Sequence, residues 1–171
     1  MVLLMQDGLR LFMKGPGTSF GFPLPDPPDV PAGEGEKEDQ GQKGFNYHTE
    51  PIGPVFDPLG NPYTRLRPDP ETPIVHVQKG AEVRLHLVGA CDKPRHHSFT
   101  VHGVAWKEHR FLPPGGTVPW VSSESAISCG TVRTFAFKAP ALGSDARDHA
   151  YRSGVLRWDV PQGMWGIMRV R

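Results

Sequence analysis

The sequence has only two cysteines, Cys91 and Cys129, and it contains neither a CxxC pair nor an HxxxH run. The lack of that spacing disfavours a structural zinc site, and a cysteine protease fails for want of a coherent Cys/His/Asn setting. Charge of one sign is also lacking: 19 Lys plus Arg stand against 18 Asp plus Glu, a formal net charge of +1. That balance provides no field to gather nucleic acid or an anionic membrane. No run approaches the roughly 20 apolar residues of a membrane span. Asp7 and Arg10 follow Met1 to Met5 closely enough to spoil the core of a secretory leader. The chain carries no legible address, which fits either an intracellular protein or a mature or excised piece of an exported one. No stretch combines the 3.6-residue period with good caps, so helices are not expected.

What the sequence has in quantity is turn chemistry. Twenty glycines and 19 prolines among 171 residues exceed ordinary usage and suit an all-β domain with long irregular connections. The length fits one domain, with a hairpin over 1–14, an extended arm over 15–73 and a sandwich core over 74–171. Asp7-Gly8 lies between Val2-Leu3-Leu4-Met5-Gln6 and Leu9-Arg10-Leu11-Phe12-Met13, the strongest short signal for a hairpin turn. The arm is rich in Pro, Gly and charge, yet it holds Phe20, Phe22 and Leu24, apolar groups better suited to wrapping a neighbouring surface than to free solvation. In Glu82-Val83-Arg84-Leu85-His86-Leu87-Val88 the alternation puts Val83, Leu85 and Leu87 in the core and Arg84 and His86 outside. His76 reads as a solvent-side residue, and His48 reads as structural beside Tyr47 and Glu50.

The densest chemistry is Arg95-His96-His97-Ser98-Phe99-Thr100-Val101-His102-Gly103, with three of the eight histidines. Alternation along a strand sends His97, Phe99 and Val101 to one face and Ser98, Thr100 and His102 to the other. On the residues alone, these imidazoles also fit surface groups of an edge strand. His97-Ser98-Phe99-Thr100-Val101-His102-Gly103 resembles the His-Pro-x-His-Leu-His-Gly run in the last cupredoxin domain of multicopper oxidases. That resemblance implies a Greek-key cupredoxin-like β-sandwich. It places His97 at a blue-copper position and His102 at a trinuclear-cluster position, with Thr100 where another cluster histidine is expected.

Tyr151 to Gly166 is similar, without a gap, to the same family's Tyr-His-Cys-His-(x)3-His-(x)4-Gly-Met ending. By that resemblance Arg152 and Gly154 stand at cluster-histidine positions, Ser153 at the blue-copper cysteine and Trp158 at its second histidine. Met164 keeps the weak axial position. A blue-copper site needs a thiolate and two imidazoles, and a serine hydroxyl and an indole N–H supply neither. The candidate metal residues are thus His97, His102, His96 and Met164, and the isolated chain is expected to hold no copper more readily than to hold some.

Three functions remain open on these residues. One is a structural or assembly module of a copper-oxidase-like protein, paired with a second copy or another cupredoxin domain. Another is an oxidase component giving His102, with His96 or His97, to a copper site shared across a domain seam. The last is a free-standing metal-binding protein using His96, His97 and His102, with His149 approaching in space. The family relation implies kinship with copper-dependent oxidoreductases and an extracellular or cell-surface setting, without activity expected of the chain alone. Cys91 and Cys129 are either bridged at one pole of the sandwich or two buried thiols.

Overall fold

The computed structural model describes residues 1–9, 12–13, 22–23, 42–49, 69–70, 72–90, 96–108, 117–141, 147–156 and 159–171. Among these residues there is no helix, and thirteen strands are present. They are β1 (Val2–Leu9), β2 (Phe12–Met13), β3 (Phe22–Pro23), β4 (Gln42–Phe45), β5 (Ile74–Val77), β6 (Glu82–Gly89) and β7 (His97–Val101), then β8 (Trp106–Lys107), β9 (Trp120–Val121), β10 (Ser123–Ile127), β11 (Val132–Lys138), β12 (Arg147–Ser153) and β13 (Trp165–Val170). Two sheets make the sandwich, with orders β11-β6-β1-β4 and β10-β7-β12-β13-β5. Two short ribbons, β2-β3 and β8-β9, complete the list of pairings. Most neighbours are antiparallel, while β1 runs parallel to β6 and β13 parallel to β5.

Period-2 patterning decides which side chains fill the space between the sheets. On β6 Val83, Leu85 and Leu87 are buried and Arg84 is exposed, as alternation requires. On β7 His97, Phe99 and Val101 are buried. The centre is aromatic: Phe45 meets Phe99 edge-on at 5.9 Å and Tyr151 at 5.2 Å, and Trp106 stacks on Phe135 at 4.3 Å. Each such side chain, fully removed from water, contributes about 1.5–3 kcal/mol. The indole N–H of Trp106 donates to Glu124 Oε1 at 2.9 Å, so the largest core residue carries no unpaired donor. Gly166 has to lack a side chain, because a Cβ there would lie 2.3 Å from the buried ring of Tyr151.

Two expectations need correction. Asp7-Gly8 does not turn a hairpin: both residues lie within β1, which pairs with β6 and β4. The register slips between Gln6 and Leu9, a β-bulge of one extra residue. Asp7 keeps the inward parity of Leu3 and Met5, and all three are buried. Nor is the sandwich confined to residues 74–171, since β1 and β4 supply half of the first sheet. The apolar pattern of Val2 to Met5 fits a central strand as well as a hairpin arm, and long-range pairing decided between them. Phe22 is in β3, while Phe20 and Leu24 lie outside the described residues.

Candidate functional site

At one pole of the sandwich four segments converge: the end of β1, the start of β7, the end of β12 and the turn over residues 159–164. The His97 imidazole is held between two carboxylates. Its Nδ1 faces Asp159 Oδ2 at 2.7 Å and its Nε2 faces Asp7 Oδ2 at 3.0 Å. Ser153 Oγ donates to the same Asp159 Oδ2 at 2.5 Å and accepts the Val155 amide N–H at 3.1 Å. His97, Asp7, Asp159 and Ser153 are all buried. Two carboxylate oxygens on two ring nitrogens require both nitrogens to donate, which only the imidazolium does. Burial alone would push the His97 pKa down. The hydrogen bonds from Asp159 and then Asp7, with their charges, outweigh it and raise the pKa to about 9.

Local backbone geometry fixes these groups. Ser153 N–H donates to Met164 O, Met164 N–H to Asp159 O, and Asp159 N–H to Val155 O, so the turn folds back over the end of β12. Met164 is thereby buried beside Ser153. Across the first sheet, buried Lys43 donates from Nζ to Gln162 Oε1 at 2.6 Å, and Thr49 Oγ1 donates to the carbonyls of Lys43 and Gln162. Lys43 shares the inward parity of Phe45 on β4, next to the Asp7 bulge. The His97 imidazolium, the Lys43 amine and two carboxylates are thus buried at one pole. Asp7 Oδ1 is buried there without a hydrogen-bond partner among the described residues.

The donors at this pole do not fit a blue-copper centre. Both His97 nitrogens are committed to carboxylates, and Ser153 offers a hydroxyl instead of a thiolate. Met164 contributes a single weak thioether. No group of three or more His, Cys, Asp or Glu arranged to hold a metal occurs among the described residues. Nor does Ser153 belong to a nucleophilic triad, because its hydroxyl points to the carboxylate and not to the imidazole, in a buried site.

The outer face of the second sheet holds the other predicted residues. Thr100 pairs with Arg152, and Arg152 with Trp165. Arg152 Nε donates to His102 Nε2 at 2.8 Å, and its Nη1 donates to the Ser153 carbonyl at 2.9 Å. His102 is exposed, and His149 Nδ1 donates to its carbonyl at 3.0 Å. Thr100 Oγ1 donates to Ser122 O. Gly154 lies against Ser98, whose hydroxyl fills the place of a Cβ.

The predicted metal residues divide between the buried pole and the outside. His96 is exposed in its own environment, His97 and Met164 are inside, and His102 is outside and bonded to arginine. His48 and His76 are exposed, and His86 bonds Thr134 Oγ1 at 2.9 Å. Trp158 lies outside the described residues. Cys129 is disulfide-bonded, and Cys91, the chain's other cysteine, lies outside the described residues. Sequence reasoning missed Asp7, Asp159 and Lys43. The signals were the inward parity of Asp7 after Leu3 and Met5, and the position of Asp159 next to Trp158, which the resemblance sets at a copper-ligand position.

No protein-family model and no curated protein matches the sequence. Solved structures do. A multicopper oxidase crystal structure is 13% identical, with a TM-score of 0.51 over 100% of this chain and 43% of that one. The blue copper oxidase from Nitrosomonas europaea is 16% identical, with a TM-score of 0.53 over 99% of this chain and 42% of that one. The McoA multicopper oxidase from Aquifex aeolicus is 16% identical, with a TM-score of 0.51 over 76% of this chain and 26% of that one. At these identities the likeness shows the fold, a cupredoxin-like β-sandwich. The chain spans less than half the length of the structures it matches.

Proposed function

We propose that this chain is a multicopper-oxidase-like cupredoxin domain that has lost its blue-copper centre and most trinuclear-cluster ligands, and that it acts as a structural or assembly module of a copper-oxidase-like protein. One observation carries the reading: the His97 imidazole is clamped between Asp7 and Asp159 with Ser153 on the shared oxygen. A protonated imidazole and its carboxylates hold together, without copper, the same elements that the family resemblance assigns to copper binding. Asp7, on β1, adds the first sheet to these elements of the second, so the ion triad ties the two sheets together. The coverage of less than half of each matched structure supports a domain that works beside others. The reading with His102 as a shared-copper ligand is disfavoured, since Arg152 Nε–H occupies the Nε2 lone pair a metal would need. Copper loading of the purified chain, followed by elemental analysis and an absorption spectrum, tests the proposal. The expected result is substoichiometric copper and no intense thiolate charge-transfer band. One copper per chain, lost on substituting His97 or Met164, would overturn it.

A further inference from the structure

We infer that the outer face of the second sheet carries a carboxylate-binding site formed by Arg152 and His102. The inference does not depend on what the buried pole holds, because these side chains project from the opposite face of the sheet.

The starting point is a contrast between two arginines on this face. Arg169 is compensated twice, donating from Nε and Nη2 to both oxygens of Asp148 and from Nη1 and Nη2 to both oxygens of Asp69. Arg152, on the central strand β12, touches no carboxylate among the described residues. Its two acceptors, His102 Nε2 and Ser153 O, are neutral. They fix the guanidinium while using two of its five N–H groups, so three donors remain on a held, half-buried cation.

The neighbours extend the donor set. Because His102 Nε2 accepts from Arg152, the ring proton must sit on Nδ1, which makes the exposed ring a neutral donor. The His149 contact to the His102 carbonyl anchors the turn that carries this ring. Across the strand pair, the Ser98 hydroxyl occupies the space a Gly154 side chain would take and adds a neutral donor to the face. A positive charge with no carboxylate partner among the described residues, with its planar fork and neutral donors, matches a planar monoanion, which favours a carboxylate over a phosphate dianion. The same contacts explain why His102 is not left free for a metal.

The carboxylate has two sources, a small free acid or an acidic side chain on another copy of this chain. NMR titration of the folded chain with sodium acetate, matched in ionic strength by sodium chloride, tests the site. The expected result is a saturable shift of the His102 ring and the Thr100 and Gly154 amides. Arg152→Gln should raise the half-saturating concentration at least tenfold, and Arg152→Lys, which keeps charge but loses the fork, should fall between. Sedimentation separates the sources. Self-association weakened by acetate and abolished in Arg152→Gln places the carboxylate on a second copy, whereas a monomer with saturable acetate binding places it on a small acid. Acetate shifts no larger than those in chloride, combined with any self-association being unchanged in Arg152→Gln, would overturn the inference. Saturation by inorganic phosphate but not acetate would overturn the carboxylate assignment. The variant's unchanged amide spectrum away from the face confirms that a lost shift is not unfolding.

Discussion

Asp159 Oδ2 accepts two hydrogen bonds, from His97 Nδ1 at 2.7 Å and from Ser153 Oγ at 2.5 Å. One buried oxygen therefore joins β7, β12 and the 159–164 turn, and the other ring nitrogen of His97 extends the link to β1 in the opposite sheet. Removing the charge at Asp159 should be costly. Asp159→Asn leaves a protonated ring and a hydroxyl competing for a neutral oxygen, and breaking a buried pair in this way costs about 3–5 kcal/mol. Asp7→Asn should cost less, because Asp7 makes one of the contacts and its other oxygen is already unpartnered. Urea denaturation of both variants checks the order; equal midpoints would contradict it.

The same ring makes stability depend on pH. An unfolded imidazole titrates near its ordinary 6.5, and the folded one near 9. Since the folded value is raised, its stabilisation is complete below about pH 6.5 and is lost as pH climbs through 9. The difference corresponds to on the order of 3 kcal/mol. Denaturation midpoints should fall between pH 6 and pH 9.5, and His97→Gln should flatten that slope. An unaltered slope in the variant would assign it to other groups.

Cys129 gives a direct chemical test. The unreduced, denatured chain should titrate with no free thiol, and removing the bridge should destabilise the fold by about 4 kcal/mol on the chain-entropy model for a loop of this length. Two titrating thiols would refute the bridge.

Two glycines should differ in tolerance. Gly166→Ala drives a Cβ into the Tyr151 ring, whose hydroxyl is tied to the Pro73 carbonyl at 2.7 Å and cannot swing aside. A loss of about 3 kcal/mol or more is expected, as for other overpacked cores. Gly154→Ala meets chiefly the Ser98 hydroxyl, which can rotate away, so the change should cost less and be eased further by Ser98→Gly. Thermal melts of the three variants distinguish these outcomes.

The strands with clean alternation were legible in the sequence. Val83, Leu85 and Leu87 on β6 face inward as read, and the parity of β7 separates His97 from His102 as read. The fold implied by the His97–Gly103 and Tyr151–Gly166 runs matches the solved structures. The partners of His97 were not legible, for a physical reason. Asp7 carries the strongest local signal for a hairpin, and only the arrival of β4 and β6 on either side converts that signal into a bulge. Asp159 is a plain turn residue until the backbone bonds of Met164 and Ser153 fold its turn inward. Local pattern specifies a side chain's face, whereas a buried ion pair is specified by which distant strands meet.

The position of β1 has a consequence for the order of assembly. Met5 pairs with Phe45 on one side and Gly89 on the other, so this early strand sits inside its sheet while both neighbours emerge from the ribosome later. Until β4 is made Val2-Leu3-Leu4-Met5 lacks both of its sheet neighbours, and until β6 follows one hydrogen-bonding edge and the apolar face stay open. Formation of the first sheet must wait for long-range closure, which is slow. A nascent or truncated chain ending before β6 is the species a chaperone would bind and the one most apt to aggregate.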